Sequence, residues 1–69
     1  MKNDQLIKMV NDITSFFASD PDREESINGI HGHISRFWNI KMREAIKQHV
    51  NDGGEGVPEI AVEAIRRLK

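Results

Sequence analysis

Residues 29–38 read GIHGHISRFW and place two glycines inside a helical pattern. Each glycine in a helix interior costs up to about 1 kcal/mol relative to alanine, and a chain this short rarely has more than roughly 3–5 kcal/mol of core stabilisation. Gly29, Gly32 and Arg36 lie on one side of this helix, with His33 at the edge. The apolar side chains recur on the other side, at Ile27, Ile30, Ile34, Phe37 and Trp38. The pattern predicts a glycine strip, formed by Gly29 and Gly32, opposite an apolar core face.

The glycine strip lets another backbone approach closely, and two origins are open for that backbone. The first or fourth helix of the same chain could cross the second helix there, because small residues permit short interhelical distances. A helix of another protein could use the same space. His33 and Arg36 are polar and flank the strip, which fits a wet outer interface better than an internal crossing. We therefore favour a partner protein on the strip.

The length of 69 residues predicts one helical domain over residues 1–69, and a chain of about 60 residues buries only about 60% of the surface that its unfolded form exposes. No cysteine is present, so disulfides and thiolate metal sites are excluded and the composition fits a reducing cytoplasm. No apolar run approaches the roughly 18 residues of a membrane span, and the first residues lack the apolar core of a signal peptide. We expect a soluble, cytoplasmic protein that does not bind membranes.

Four amphipathic segments predict an all-α fold, a small bundle of three main helices plus a short C-terminal fourth helix. The first helix is expected over about residues 4–18. The second is expected to follow a cap at Asp20 and to end near Trp38, and the third to follow a cap at Asn39. The predicted apolar stripes outside the second helix contain Leu6, Met9, Val10, Ile13, Phe16 and Phe17, then Met42, Ala45, Ile46, His49 and Val50, and finally Ile60, Ala61, Ala64, Ile65 and Leu68.

A glycine-rich connector at residues 51–57 separates the third and fourth helices. Gly53 is expected to take the left-handed conformation that ends a helix, and the three glycines predict a mobile connector. It lacks the Lys, Ser or Thr of a phosphate-binding loop. The fourth helix is expected to begin near Pro58, and Val62 falls off its apolar stripe, which predicts exposure or a partner contact.

No set of residues predicts catalysis, cofactor binding or a metal site. His31 and His33 are two positions apart and point to different sides of a helix, whereas helical zinc ligands use i, i+4 spacing. His49 lies within an apolar stripe, where a hydrogen-bonded core histidine is the default interpretation. The carboxylates cluster at helix starts, where they serve as caps or dipole partners. We therefore predict no enzyme activity for this chain on its own.

The net charge of −1 hides an uneven distribution of charged residues. Residues 31–50 carry four bases against one acid, whereas residues 1–30 carry three bases against six acids. The basic 31–50 segment and a helix-turn-helix-like join at Trp38-Asn39 support an alternative function as a small nucleic-acid-binding module. The near-neutral net charge argues against this alternative, so nucleic acid is not the expected partner.

Trp38 has a structural and a functional interpretation. In the first it plugs the corner of the bundle, and in the second it is a half-exposed anchor for a partner. The plug is favoured, although a corner tryptophan can serve both purposes.

Three parts of the chain carry a family resemblance. These are residues 6–13 with Phe16-Phe17, the run Gly32-His33-Ile34 followed by Arg36-Phe37-Trp38 and Met42-Arg43, and the glycine-rich connector with the apolar helix after it. Here the sequence resembles the delta subunit family of the NAD-dependent, molybdenum-containing formate dehydrogenases. Family members usually have Asp-Pro after the tryptophan, where this chain has Asn39-Ile40, and both pairs can start a helix.

The resemblance implies a small accessory subunit of a cytoplasmic complex that oxidises formate to carbon dioxide and passes electrons to NAD. It implies that the molybdenum cofactor, the iron–sulfur clusters, FMN and NAD belong to larger subunits and that this chain binds none of them. The implied task is docking on the molybdenum-bearing catalytic subunit to assist assembly or stability, and the exposed partner face could also form a homodimer in isolation. The candidate partner contacts are Gly29, Gly32, His33, Arg36, Trp38 and Arg43.

Overall fold

All four predicted amphipathic segments form helices in the computed structural model, which describes residues 2–69. They are α1 (Lys2–Phe17), α2 (Arg23–Phe37), α3 (Ile40–Asn51) and α4 (Glu59–Arg66), and no strand occurs within the described residues. The predicted all-α bundle of three main helices and a short fourth is confirmed. Helix α2 packs mainly against α4 and α1, while α3 packs against α1 and α4. None of these helices is long and apolar enough to cross a membrane.

All four helices contribute side chains to one core. Helix α2 supplies Ile27, Ile30 and Ile34, all fully buried, at the i, i+3, i+7 spacing of one helix face. Burying an isoleucine side chain contributes about 1.5–3 kcal/mol, so this stripe provides a large share of the stability of a small domain. Ala61 and Ala64 are buried on α4, and their small side chains let this short helix approach α2 closely. The rest of the buried apolar core consists of Val10, Trp38, Ile46, Val50, Ile65 and Leu68.

Two phenylalanines that the sequence pattern assigns to the core lie on the surface instead. Phe16 is 74% exposed and Phe37 is 70% exposed. Phe16 and Phe17 are neighbours in α1 and point about 100° apart, so both rings cannot face the core centre. Trp38 follows Phe37, the last residue of α2, with an extended backbone, so the helical spacing that aligns these two residues does not continue through Trp38. Phe17 and Trp38 take the inward positions. The predicted core positions of Phe16 and Phe37 are therefore wrong.

The N-cap of α2 is Asp22, not the predicted Asp20. The Asp22 carboxylate accepts hydrogen bonds from the backbone N–H groups of Glu24 and Glu25, at 2.9 and 3.3 Å. Asp20 instead accepts from the N–H of Asp22 at 2.8 Å and so fixes the turn before the helix. Two acceptors thus stand on either side of Pro21, and the second one satisfies the free N–H groups of the helix.

Both ends of α3 are capped as predicted. The Asn39 side chain accepts a backbone N–H from the third residue of the helix at 2.9 Å. At the other end, the N–H groups of Gly53 and Gly54 donate to the carbonyls of Val50 and His49, at 3.2 and 2.9 Å. The two glycines have φ values of +122° and +64°, which residues with a side chain rarely adopt. This pair of bonds is the Schellman pattern of a helix end.

Side chains from two helices hold the glycine-rich connector in place. The ring Nε2 of His49 donates to the carbonyl of Glu55 at 2.7 Å, and the Nδ2 of Asn11 donates to the carbonyl of Gly56 at 3.0 Å. The connector is therefore tethered to α3 and α1, which its glycine content alone does not predict. Val62 packs half buried against the core, so its place off the α4 stripe does not expose it.

Ion pairs join α2 to the α4 region on the surface. Arg23 contacts Glu59, and Arg67, just after α4, contacts both Glu24 and Glu63. The hydrogen bond from Arg67 lowers the pKa of the Glu24 carboxyl below its ordinary value. Because these side chains are exposed, the pairs are screened by salt and contribute little at neutral pH.

Replacing Glu24 with glutamine removes the charge that Arg67 contacts. A carboxyl whose pKa is lowered by folding stabilises the protein above its unfolded-state value of about 4.5, and this contribution is lost as the pH falls through the lowered value. At neutral pH we expect the wild type to have a slightly higher melting temperature than Glu24→Gln. Below pH 4.5 we expect this difference in melting temperature to shrink. Circular dichroism melts test this, with Glu44→Gln on α3 as the control. A difference in melting temperature that does not change with pH would contradict the stabilising contact between Glu24 and Arg67.

Candidate functional site

Four rings from α1 and α2 form a continuous row on one face of the molecule, called here the aromatic surface. The ring centroids of Phe16 and Phe17 are 5.0 Å apart, those of Phe17 and His33 are 6.4 Å apart, and those of His33 and Phe37 are 4.8 Å apart. The outer members, Phe16 and Phe37, are the two exposed phenylalanines. Apolar area concentrated in one exposed patch is typical of an interaction site.

An apolar pocket of about 460 Å³ opens on the α1 side of the aromatic surface. Ile13, Phe16 and Phe17 line it together with His33 and Asp12, and almost all of the lining surface is apolar, so the Asp12 carboxylate lies at the border of the pocket. A concave apolar site next to exposed rings suits an anchoring side chain from another protein.

A groove of about 400 Å³ lies on the α2 side and shares Phe17 and His33 with the apolar pocket. Its lining runs along α2 from Glu25 to Arg36, a span of roughly 16 Å at the helical rise of about 1.5 Å per residue. The full lining is Phe17, Asp20, Glu25, Asn28, Gly29, Gly32, His33, Arg36 and Phe37. Four of the predicted partner contacts, Gly29, Gly32, His33 and Arg36, therefore line one groove.

The two glycines of the predicted strip have opposite surroundings. A Cβ atom at Gly29 would lie 2.3 Å from Cδ1 of Phe17, so the ring from α1 rests directly on this bare backbone. A Cβ atom at Gly32 would meet nothing within 4 Å beyond its own helix backbone and chain neighbours, among the residues described. The internal crossing therefore occurs at Gly29, which also lines the groove, while Gly32 remains open to another molecule.

Trp38 and Arg43 line neither the groove nor the apolar pocket. Trp38 is 4% exposed and belongs to the core where α2 ends, as the plug interpretation predicts. It therefore offers little surface for contact in the free chain, and its role as a partner contact stays a prediction. Arg43 is half buried, and its Nε atom is buried without a hydrogen-bond partner in the described part of the chain.

The residues that give this surface its chemistry are mostly not those that the sequence patterns select. The adjacent pair Phe16 and Phe17 does contain a usable signal, because neighbours in a helix point about 100° apart and one of the two rings must turn away from the core centre. The carboxylates Asp12, Asp20 and Glu25 also line the pocket and the groove, although their positions in the sequence suggest only solvated or helix-capping roles. The glycine strip leaves open a crossing by the first or fourth helix, but no local pattern indicates that α1 makes it or that it occurs at Gly29 and not at Gly32.

The histidines have separate roles in this arrangement. His33 is part of the aromatic surface, and His49 holds the connector. Within the described residues, no three His, Cys, Asp or Glu side chains are grouped so that they could hold a metal ion. The groups that the surface offers are apolar rings, one imidazole, one guanidinium and three carboxylates, which is the chemistry of contact with another macromolecule.

A family model for the NADH-dependent formate dehydrogenase delta subunit, FdsD, matches residues 5–65 of the chain. The matched range includes every residue of the aromatic surface, the pocket and the groove. No curated protein and no solved structure matches the chain.

Alanine at the two glycines of the strip is expected to change stability in opposite directions. Gly32→Ala fills open space and improves helix propensity, so we expect it to add about 0.5–1 kcal/mol to the free energy of unfolding. Gly29→Ala displaces the Phe17 ring, so we expect a loss of about 1–3 kcal/mol. Urea unfolding followed by Trp38 fluorescence measures both.

The double variant Phe17→Ala/Gly29→Ala is the control for the ring contact. When Phe17 is replaced by alanine, alanine at position 29 should no longer lower the free energy of unfolding. If Gly29→Ala is as stable as Gly32→Ala in the presence of Phe17, the close contact does not constrain the fold.

Proposed function

Because the chain belongs to the family of NADH-dependent formate dehydrogenase delta subunits, we propose that it is a non-catalytic accessory subunit that docks on the larger, molybdenum-bearing catalytic subunit. Docking uses the aromatic surface and the neighbouring positions Gly32 and Arg36. The docked chain assists the assembly or stability of a cytoplasmic formate dehydrogenase complex. In this proposal the molybdenum cofactor, the iron–sulfur clusters, FMN and NAD are held by the larger subunits.

The exposed rings of Phe16 and Phe37 are the observation that carries this proposal. A chain of 69 residues has little apolar area to spare, yet these two rings lie outside its core. Covering one phenylalanine contributes about 1.5–3 kcal/mol, and aromatic residues provide much of the binding energy in many interfaces. A partner that covers both rings recovers stabilisation that the isolated chain leaves unused.

Bare and polar positions beside the rings support the same function. Gly32 leaves room for a second backbone, since no side chain of its own blocks the groove. Arg36 is exposed and can donate several hydrogen bonds to a carboxylate or carbonyl of a partner. Interfaces combine an apolar centre with a polar rim in this way.

The residue content supports placing the electron-transfer centres elsewhere. Iron–sulfur clusters are held by cysteine thiolates, and the chain contains no cysteine. We therefore assign to this chain the role of binding the subunits that hold those centres.

Serine at both exposed phenylalanines should separate docking from folding. Phe16→Ser/Phe37→Ser is expected to weaken binding to the catalytic subunit at least about a hundredfold, because two buried rings contribute about 3 kcal/mol or more and each tenfold in affinity is about 1.4 kcal/mol. The melting temperature should change little, since both rings are exposed in the free chain. Affinity is measured with the formate dehydrogenase complex prepared without this chain.

Ile40→Ser is the matched control, because Ile40 is an equally exposed apolar residue outside the pocket and the groove. It should bind like the wild type. Equal binding by wild type and the double serine variant would exclude the aromatic surface, and a wild-type chain that binds no formate dehydrogenase subunit would exclude the function. Binding to duplex DNA at low salt, without binding to the enzyme, would favour the nucleic-acid alternative.

A further inference from the structure

Three carboxylates border the aromatic surface. Asp12 lines the apolar pocket, while Asp20 and Glu25 line the groove near the start of α2. Arg36 lines the groove near the opposite end of α2. The surface is therefore apolar in the middle, acidic along one end and one side, and basic at the other end.

Among the described residues, these three carboxylates belong to no ion pair within 4 Å. The ion pairs of α2 are made on its α4 side by Arg23 and Glu24, and none of the described ion pairs includes Asp12, Asp20 or Glu25. The Asp20 carboxylate accepts only the N–H of Asp22, a neutral donor. Carboxylates left unpaired around an apolar site raise the affinity for a positively charged partner and repel a negative one.

We propose that the occupant of the groove is a basic amphipathic helix of the catalytic subunit. Its apolar side chains enter the pocket between Ile13 and Phe16, and its lysine or arginine side chains reach Asp12, Asp20 and Glu25. This inference rests on the proposed function, and it adds the chemical character of the segment that the chain binds.

The shape of the groove supports a helix as the occupant. Its lining on α2 extends for roughly 16 Å, which is the length of about three helical turns. At its middle, Gly32 presents bare backbone with nothing of this chain within 4 Å of an added Cβ, apart from its own helix backbone and neighbours. Glycine at a crossing point allows two helix axes to approach closely.

Charge also selects against the other occupants. A symmetric dimer would place the same patch of two copies face to face, so six carboxylates would share one interface with only two Arg36 side chains and the excess negative charge would be repulsive. Nucleic acid and anionic lipid would meet the same repulsion. A basic segment of a different chain is the occupant that the three carboxylates and the single Arg36 favour.

Charge reversal tests the inference. Asp12→Lys/Glu25→Lys should weaken binding to the formate dehydrogenase complex lacking this chain at least tenfold at low salt, and the loss should shrink at high salt because screening weakens exposed charge pairs. Glu44→Lys/Glu55→Lys changes the net charge equally at exposed positions outside both cavities and should bind nearly as well as the wild type. Because lysine in the first turn of α2 disfavours the helix, Asp12→Asn/Glu25→Gln is measured as well, with a smaller loss expected.

The outcomes separate this inference from the proposed function. If the double serine variant loses binding while both acidic-site variants bind as tightly as the wild type, docking stands and a basic occupant is wrong. Tighter binding after charge reversal would also overturn it. If the wild-type chain does not bind the enzyme, both proposals fall.

Photocrosslinking identifies the occupant directly. A p-benzoylphenylalanine in place of Asn28, which is exposed and lines the groove, should crosslink to a lysine- or arginine-rich amphipathic helix of the catalytic subunit. A crosslink to an acidic segment, or to a second copy of this chain, would overturn the inference.

Discussion

The contact between the Phe17 ring and the bare backbone of Gly29 determines how α1 and α2 are arranged. Since a Cβ atom at position 29 would lie 2.3 Å from the ring, only glycine lets the end of α1 rest at this depth. The hydroxyl of Ser26 reinforces the crossing by donating to the Phe17 carbonyl at 2.8 Å. With Phe17 held inward, Phe16 faces outward and His33 joins the ring row. The aromatic surface therefore depends on the close approach of the Phe17 ring to Gly29.

Helix α2 uses its sides for different purposes. Its isoleucine stripe and its ion pairs with the α4 region close the bundle. The side that faces the end of α1 keeps an open groove lined by aromatic rings and carboxylates. In the proposed docked state, a partner that covers this surface supplements the marginal stability of a small domain.

Helix number, helix ends and the α2 core stripe could be predicted because they depend on local spacing and capping chemistry. The α2 cap shows the limit of that reasoning, since Asp20 and Asp22 are equivalent acceptors until the turn at Pro21 is built. The site was only partly predictable. Spacing correctly selects the groove residues Gly32, His33 and Arg36, but whether Phe16 or Phe17 faces inward, and whether Gly29 is covered, depends on where another helix crosses.

The tethering of the glycine-rich connector at residues 51–57 affects how the protein unfolds. Glycine-rich segments are common sites of proteolytic nicking because they open without disturbing the rest of a domain. Here the carbonyls of Glu55 and Gly56 are held by His49 of α3 and Asn11 of α1. Opening the connector breaks hydrogen bonds to α3 and α1 and loosens the attachment of α4, which follows it. Local opening of the connector is therefore more costly than in a glycine-rich segment without such hydrogen bonds.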